Sequence, residues 1–137
     1  MSPTTYLLDA IRISDVMRPG LIECDSRAPI EEVADRMSRL GIHALAIRDD
    51  DRDAPVVVSD LDVVAAIGTG ERGLQARHIA GRATFTVPSR HSMREAARLM
   101  SEHAVSHLVV IDEAFGSPCG IVSSTDVLAA YASVTSG

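Results

Sequence analysis

Apolar positions along the chain change period several times, and each change marks an element. Ile30, Val33, Ala34, Met37 and Leu40 recur at three- and four-residue spacing, which predicts an amphipathic helix. Pro29 opens it where a missing N–H does no harm, Arg36 and Arg39 complement the dipole in its last turn, and Gly41 supplies a left-handed C-cap. Leu21-Ile22-Glu23-Cys24 before it alternates as a short strand does, and Ile42 to Ile47 and Val56 to Val58 read as two more strands around the acidic loop Asp49 to Asp53. An apolar helix follows Ser59 and runs to about Ile67, where Gly68-Thr69-Gly70 ends it. Ahead of all these, Ile13 to Met17 predicts one helical turn broken by Pro19-Gly20, and residues 1–12 form an arm with Leu7, Leu8 and Ile11 on one side.

The same order then recurs. Sliding the chain on itself by 63 residues brings Ser26-Arg27 onto Ser89-Arg90, Glu32 onto Glu95, Met37-Ser38 onto Met100-Ser101 and Leu45 onto Leu108. After one extra residue in the second loop, Ser59, Asp62, Val63, Ala65 and Ala66 fall on Ser123, Asp126, Val127, Ala129 and Ala130. The second copy predicts a turn at Arg77 to Ala80, strands at Thr84 to Val87, Ser106 to Ile111 and Pro118 to Val122, a helix Met93 to Glu102 opened by the capping-box match Ser92-x-x-Glu95, and a last helix to about Val134. The fold class is therefore α/β (α+β), built as two β-α-β-β-α repeats. The boundaries are an arm over 1–12, a first repeat over 13–67, a linker over 68–75, a second repeat over 76–134 and a tail over 135–137.

Composition narrows the function. A net charge of −6 over 137 residues argues against nucleic acid, whose phosphates call for a basic surface. No apolar run approaches the ~20 residues of a membrane span, and the first residues lack the basic-then-apolar pattern of a signal peptide, so a cytoplasmic protein without a membrane role is expected. Cys24 and Cys119 stand far apart and form no CxxC, as for reduced thiols. His103 and His107 share no helical face and lack nearby Cys or carboxylate partners, so no metal site is expected. No GxSxG, Walker A or HExxH pattern occurs, and the chain does not read as an enzyme; a redox role for Cys119 is the weakest of the readings.

What remains is the duplicated Ser-x-x-Asp at a strand-to-helix junction, Ser59-x-x-Asp62 and Ser123-x-x-Asp126. As a capping box, the Ser oxygen takes a helix N–H and the carboxylate reaches back to the cap residue. As a binding element, the carboxylate accepts from vicinal hydroxyls and the Ser sits beside helix N–H groups that suit an anion.

The tandem β-α-β-β-α order with hydrophobic-Ser-x-x-Asp before each last helix resembles a pair of cystathionine-β-synthase-type (CBS) domains, over roughly residues 13 to 134. The resemblance implies two repeats related by a pseudo-two-fold axis, often a stand-alone bacterial protein, usually a homodimer. It also implies a regulatory module that binds an adenosine derivative such as AMP, ADP, ATP or S-adenosylmethionine in a cleft between the repeats, requires no cofactor, and acts on a partner protein that the residues do not name. Carried over by position, it assigns Asp62 and Asp126 to ribose hydroxyls and Ser59, Ser123 and Thr125 to ribose or phosphate oxygens. His107 falls at a basic phosphate contact with His43 beside the equivalent position, and Leu21, Ile22, Thr84 and Phe85 fall along the base pocket. The first copy departs from the second at Val56 for Gly120 and Ala44 for His107, so the second site is expected to be the more open and the stronger. The alternative is a ligand-free dimerisation scaffold whose Ser-x-x-Asp units only cap helices and whose paired Ala residues let helices approach a second subunit.

Overall fold

Parallel and antiparallel pairing of the predicted strands yields two mixed sheets, each backed by two of the predicted helices. The structure, a computed structural model, describes residues 7–51, 56–79 and 85–135. Its elements in chain order are α1 (Ile13–Val16), β1 (Arg18–Pro19), β2 (Glu23–Asp25), α2 (Ile30–Leu40), β3 (Ala44–Arg48), β4 (Val56–Ser59) and α3 (Asp60–Gly68). A 3₁₀ turn (Ala76–His78), β5 (Thr86–Pro88), α4 (Met93–His103), β6 (His107–Asp112), β7 (Ser117–Ser123) and α5 (Ser124–Thr135) follow. Both copies of the predicted β-α-β-β-α order are present.

The chain divides into two compact units, residues 21–84 and residues 1–20 with 85–137. In the first, β2 runs parallel to β3 and β3 antiparallel to β4, the order being β2-β3-β4. In the second, β5 runs parallel to β6 and β6 antiparallel to β7, with β1 added antiparallel on the far edge of β7. The cores correspond residue for residue: Cys24, Ile30, Met37, Leu45, Ile47 and Val58 in one, Val87, Met93, Met100, Leu108, Val110 and Val122 in the other.

The compact units are offset from the sequence repeats because the opening turns are exchanged. Ile13 and Ser14, which open the first repeat, donate their N–H groups to the carbonyls of His91 and Ser89 in the second (2.9 and 3.0 Å). Ala76 and Arg77, which open the second repeat, donate to Ala28 and Ser26 in the first (2.8 Å each). Ile13 and Ala76 are both fully buried, so each turn seals the core of the unit it joins.

Helix ends follow their sequence signals. Gly41 sits at φ 62°, ψ 33° as the left-handed C-cap of α2, and Ala104, its counterpart, holds the same conformation at the end of α4 (φ 52°, ψ 47°). Ser92 accepts the Glu95 N–H as expected (3.1 Å), but the Glu95 carboxylate turns to Arg98 at 2.8 Å and completes no capping box there. That hydrogen bond to Arg98 holds the Glu95 carboxyl below its usual range. Two strand starts shift: Leu21 and Ile22 precede β2, and Phe85 precedes β5, each contributing a single carbonyl bond, Ile22 to Ala46 N–H and Phe85 to Val109 N–H. The expected base-pocket residue Thr84 lies outside the described residues.

Glycine at position 120 has a cause that local pattern does not show. Gly120 pairs with Pro19 of β1, and a methyl built on it would land on the Arg18 carbonyl oxygen and 3.0 Å from the Met17 sulfur. The residue is glycine because β1 lies against it. In the other unit β4 is a sheet edge, and Val56 stands at the equivalent place.

Candidate functional site

Each Ser-x-x-Asp stands where an antiparallel strand ends and a helix begins. The first residue of each helix is anchored alike: Asp60 N–H donates to the His43 carbonyl and Ser124 N–H to the Ser106 carbonyl, both at 2.8 Å. These bonds fix the direction in which α3 and α5 leave their sheets.

At the second junction Asp126 turns back onto its own helix. Its Oδ2 accepts the Ser123 N–H (2.8 Å) and the Ser123 hydroxyl (3.0 Å), while Asp126 N–H donates to Ser123 Oγ at a long 3.4 Å. Ser123 Oγ also lies 2.7 Å from Thr125 Oγ1. Ser123 has one proton and gives it to Asp126, so Thr125 donates to Ser123. Asp126 Oδ1 meets no donor among the described residues, and Asp126 is half-buried. His107 pairs directly with Ser123 across β6 and β7, which puts the imidazole beside this hydroxyl cluster. The structure therefore brings His107, Ser123, Thr125 and Asp126 together.

The first junction is a complete capping box. Ser59 N–H donates to Asp62 Oδ2 (2.9 Å), Asp62 N–H donates to Ser59 Oγ (3.2 Å), and Asp62 is only 5% exposed. Ala44 pairs with Ser59 where His107 pairs with Ser123. The Nδ1 of His43, one residue earlier, lies 3.1 Å from Asp60 Oδ2. Asp60 is not among the expected site residues, although an acidic residue at the first helical position is a recognisable signal.

Of the base-pocket residues, Leu21 is half-buried, Ile22 is exposed, and Phe85 is half-buried with its ring stacked on that of His103. The ring centroids are 4.0 Å apart and the planes 14° from parallel, so the exposed His103 ring covers one face of Phe85. Cys119 lies 4.0 Å from the Met17 sulfur, and burial, reinforced by the nearby Asp112 and Glu113 carboxylates, pushes its thiol up. That environment disfavours the thiolate a redox enzyme needs. Among the described residues no group of three or more His, Cys, Asp and Glu is arranged to hold a metal ion, and no helix is long and apolar enough to cross a membrane.

The model of the CBS domain matches residues 13–68 and again residues 76–133. The chain belongs to the CBS domain family. It carries a tandem pair of α/β CBS repeats, modules that regulate rather than catalyse. Among solved structures the CBS pair is similar to the CBS domain protein PAE2072 from Pyrobaculum aerophilum complexed with AMP, at 25% identity and a TM-score of 0.74, covering 93% of this chain and 100% of that one. It shares its fold with the CBS domain pair of protein MJ0100 in complex with 5′-methylthioadenosine and S-adenosyl-L-methionine, at 22% identity and a TM-score of 0.75, covering 89% and 96%. Among curated proteins it is similar to a homoserine O-acetyltransferase of Methanosphaera stadtmanae, 28% identical over 106 residues. Those residues are 77% of this chain, and the match spans about a fifth (21%) of that enzyme's length.

Proposed function

We propose that this CBS pair is a regulatory module that binds an adenine nucleotide or another adenosyl compound and signals its presence to a partner protein. The observation that carries the reading is the β7–α5 junction, where Asp126 keeps Oδ1 uncommitted among the described residues beside two hydroxyls and the cross-strand imidazole of His107. In this reading Asp126 Oδ1 accepts from a ribose hydroxyl, Ser123 and Thr125 contact ribose or phosphate oxygens, and His107 contacts phosphate. Ser59, Asp62 and His43 form the weaker counterpart; in each unit the residues before β2 or β5, Leu21 and Ile22 in one and Phe85 in the other, are the ones this reading assigns to a base. At Asp126 capping and binding are compatible, since the cap consumes only one carboxylate oxygen. The AMP complex of the Pyrobaculum relative and the methylthioadenosine and S-adenosylmethionine complex of MJ0100 support the ligand class. No bond is broken; the ligand acts by binding one arrangement of the module better than another. Calorimetric titration with AMP, ADP, ATP and S-adenosylmethionine tests this. Micromolar binding that Asp126→Ala abolishes supports it, and no binding tighter than millimolar for any of the four refutes it.

A second reading, a ligand-free dimerisation scaffold, has its own support. Both carboxylates do cap their helices, and apolar side chains line the outside of α3 (Leu61, Val64 and Ile67) and α5 (Leu128 and Tyr131), all about half exposed or more. The paired Ala residues divide differently from expectation: Ala130 lies in the core of its own unit and Ala66 packs against the core of the other, leaving Ala65 and Ala129 exposed. A homodimer through these stripes is common to both readings. Sedimentation of Leu61→Glu and Leu128→Glu variants as monomers, against a wild-type dimer, is the expected result.

A further inference from the structure

We propose that the two repeats select adenosyl compounds by charge: the second junction takes a phosphorylated nucleotide, the first takes one that lacks a phosphate, and Asp60 is the residue that excludes phosphate. The proposal rests on the binding reading above and assigns a ligand class to each of its two sites.

Matched by position, the junctions read Ser59-Asp60-Leu61-Asp62 and Ser123-Ser124-Thr125-Asp126. A phosphate is held by N–H and O–H donors and by cations, and is repelled by carboxylates. At the first junction the donors are spent. Asp60 N–H goes to the His43 carbonyl, Leu61 N–H to Asp60 Oδ1 (2.8 Å), and Asp62 N–H to Ser59 Oγ. Two carboxylates, Asp60 and Asp62, stand on this one helix turn, and His43 is turned to Asp60.

At the second junction the inventory is opposite. Ser124 replaces the Asp60 carboxylate with an exposed hydroxyl, while the Thr125 hydroxyl is given to Ser123 Oγ. The Thr125 N–H has no partner among the described residues, and the bond from Asp126 N–H to Ser123 is long at 3.4 Å. One carboxylate remains, and His107 rather than Ala44 faces the serine. Carboxylate count, donor count and the cross-strand residue all differ in the same direction. A phosphate monoester carries a charge of about −1.5 to −2 near neutral pH, so one carboxylate a few ångströms away changes its affinity by roughly tenfold or more while leaving an uncharged nucleoside nearly unaffected.

The test is calorimetry on the full chain with AMP and, separately, 5′-methylthioadenosine, comparing wild type with Asp60→Ser, Asp60→Asn and Ser124→Asp. Asp60→Asn keeps the oxygen that accepts the Leu61 N–H, so it guards against loss of fold, and thermal melts confirm folding of all variants. The expected result is one AMP per wild-type chain, weakened at least tenfold by Ser124→Asp. A second AMP site, or at least a tenfold gain for AMP over methylthioadenosine, is expected in both Asp60 variants. Two equivalent AMP sites in the wild type, or an AMP-to-methylthioadenosine preference that the Asp60 variants leave unchanged, overturns the charge assignment while the binding reading stands. Absence of binding of either compound to every protein overturns the binding reading itself, and the charge assignment with it.

Discussion

Gly120→Ala adds one methyl group, and the structure says where it goes. The new carbon meets the Arg18 carbonyl oxygen, with Met17 Sδ at 3.0 Å and the Arg18 carbonyl carbon at 3.4 Å. The obstacle is backbone, so a rotamer change cannot clear it, and β1 must move off the edge of β7. Overpacking of this kind costs about 1–3 kcal/mol. Moving β1 also loosens the Gly20 N–H bond to the Cys119 carbonyl (2.8 Å), worth about 1 kcal/mol. Reduced freedom of the unfolded chain returns about 0.5 kcal/mol. The net expectation is a loss of about 2 kcal/mol, or roughly 8 °C in melting temperature for a chain of this size. Urea unfolding followed by circular dichroism measures the first and a thermal scan the second. Hydrogen exchange adds a spatial check, because the Ile13 and Ser14 amides bonded to His91 and Ser89 lie just upstream of the displaced strand and should lose protection with it. Met17→Ala in the Gly120→Ala background should restore little, since the sulfur is the lesser obstacle. A Gly120→Ala protein as stable as wild type would refute the account of why glycine stands there.

Ala104→Gly should stabilise by about 0.5–1 kcal/mol, because a left-handed conformation costs a non-glycine residue about 1–2 kcal/mol and glycine returns part of that as backbone entropy; Gly41→Ala should destabilise by a similar amount in the same unfolding assay. The Arg90 N–H, with the Ser89 hydroxyl and the Arg90 guanidinium, holds the Glu113 carboxyl below its usual range. A lowered folded-state pKa means the unfolded chain takes up its proton first, so this contribution is present above the unfolded pKa and fades as pH falls from about 5 downward. Glu113→Gln should therefore flatten the acid limb of the stability curve, and an unchanged limb would count against the contact. Cys119, with its thiol pushed up, and buried Cys24 should both react with a disulfide reagent more slowly than free cysteine at about pH 8, and both should become fast on unfolding.

Local periodicity carried the helices and their ends: the apolar face of α2, the Gly41 cap and the Ser59 capping box were readable because each depends on residues within a turn or two. The duplication supplied the rest of the order, since one legible copy interprets the other. What stayed hidden was non-local. Nothing near Gly120 announces that residues 18 and 19 will lie beside it, and nothing near Ile13 announces that its N–H will find His91. The cluster of His107 with Ser123 was inferred by position and rests on strand register, which an alternating pattern specifies well. His43 lies just before β3, and its contact with Asp60 joins a strand start to the next helix start, which no local pattern marks.

The exchanged opening turns also dictate a timetable. The unit of residues 21–84 is contiguous in sequence and can close as soon as it has been made, with its own Ala76 turn sealing its core. Residues 13–20 are made before that unit yet belong to the other one, whose β7 is made after it. Until β7 is made, Ile13 waits without its finished core, and the closing of β1 on β7 spans about a hundred residues of chain, the kind of distant pairing that slows folding. A chain released before β7 would hold one finished unit and an orphaned arm.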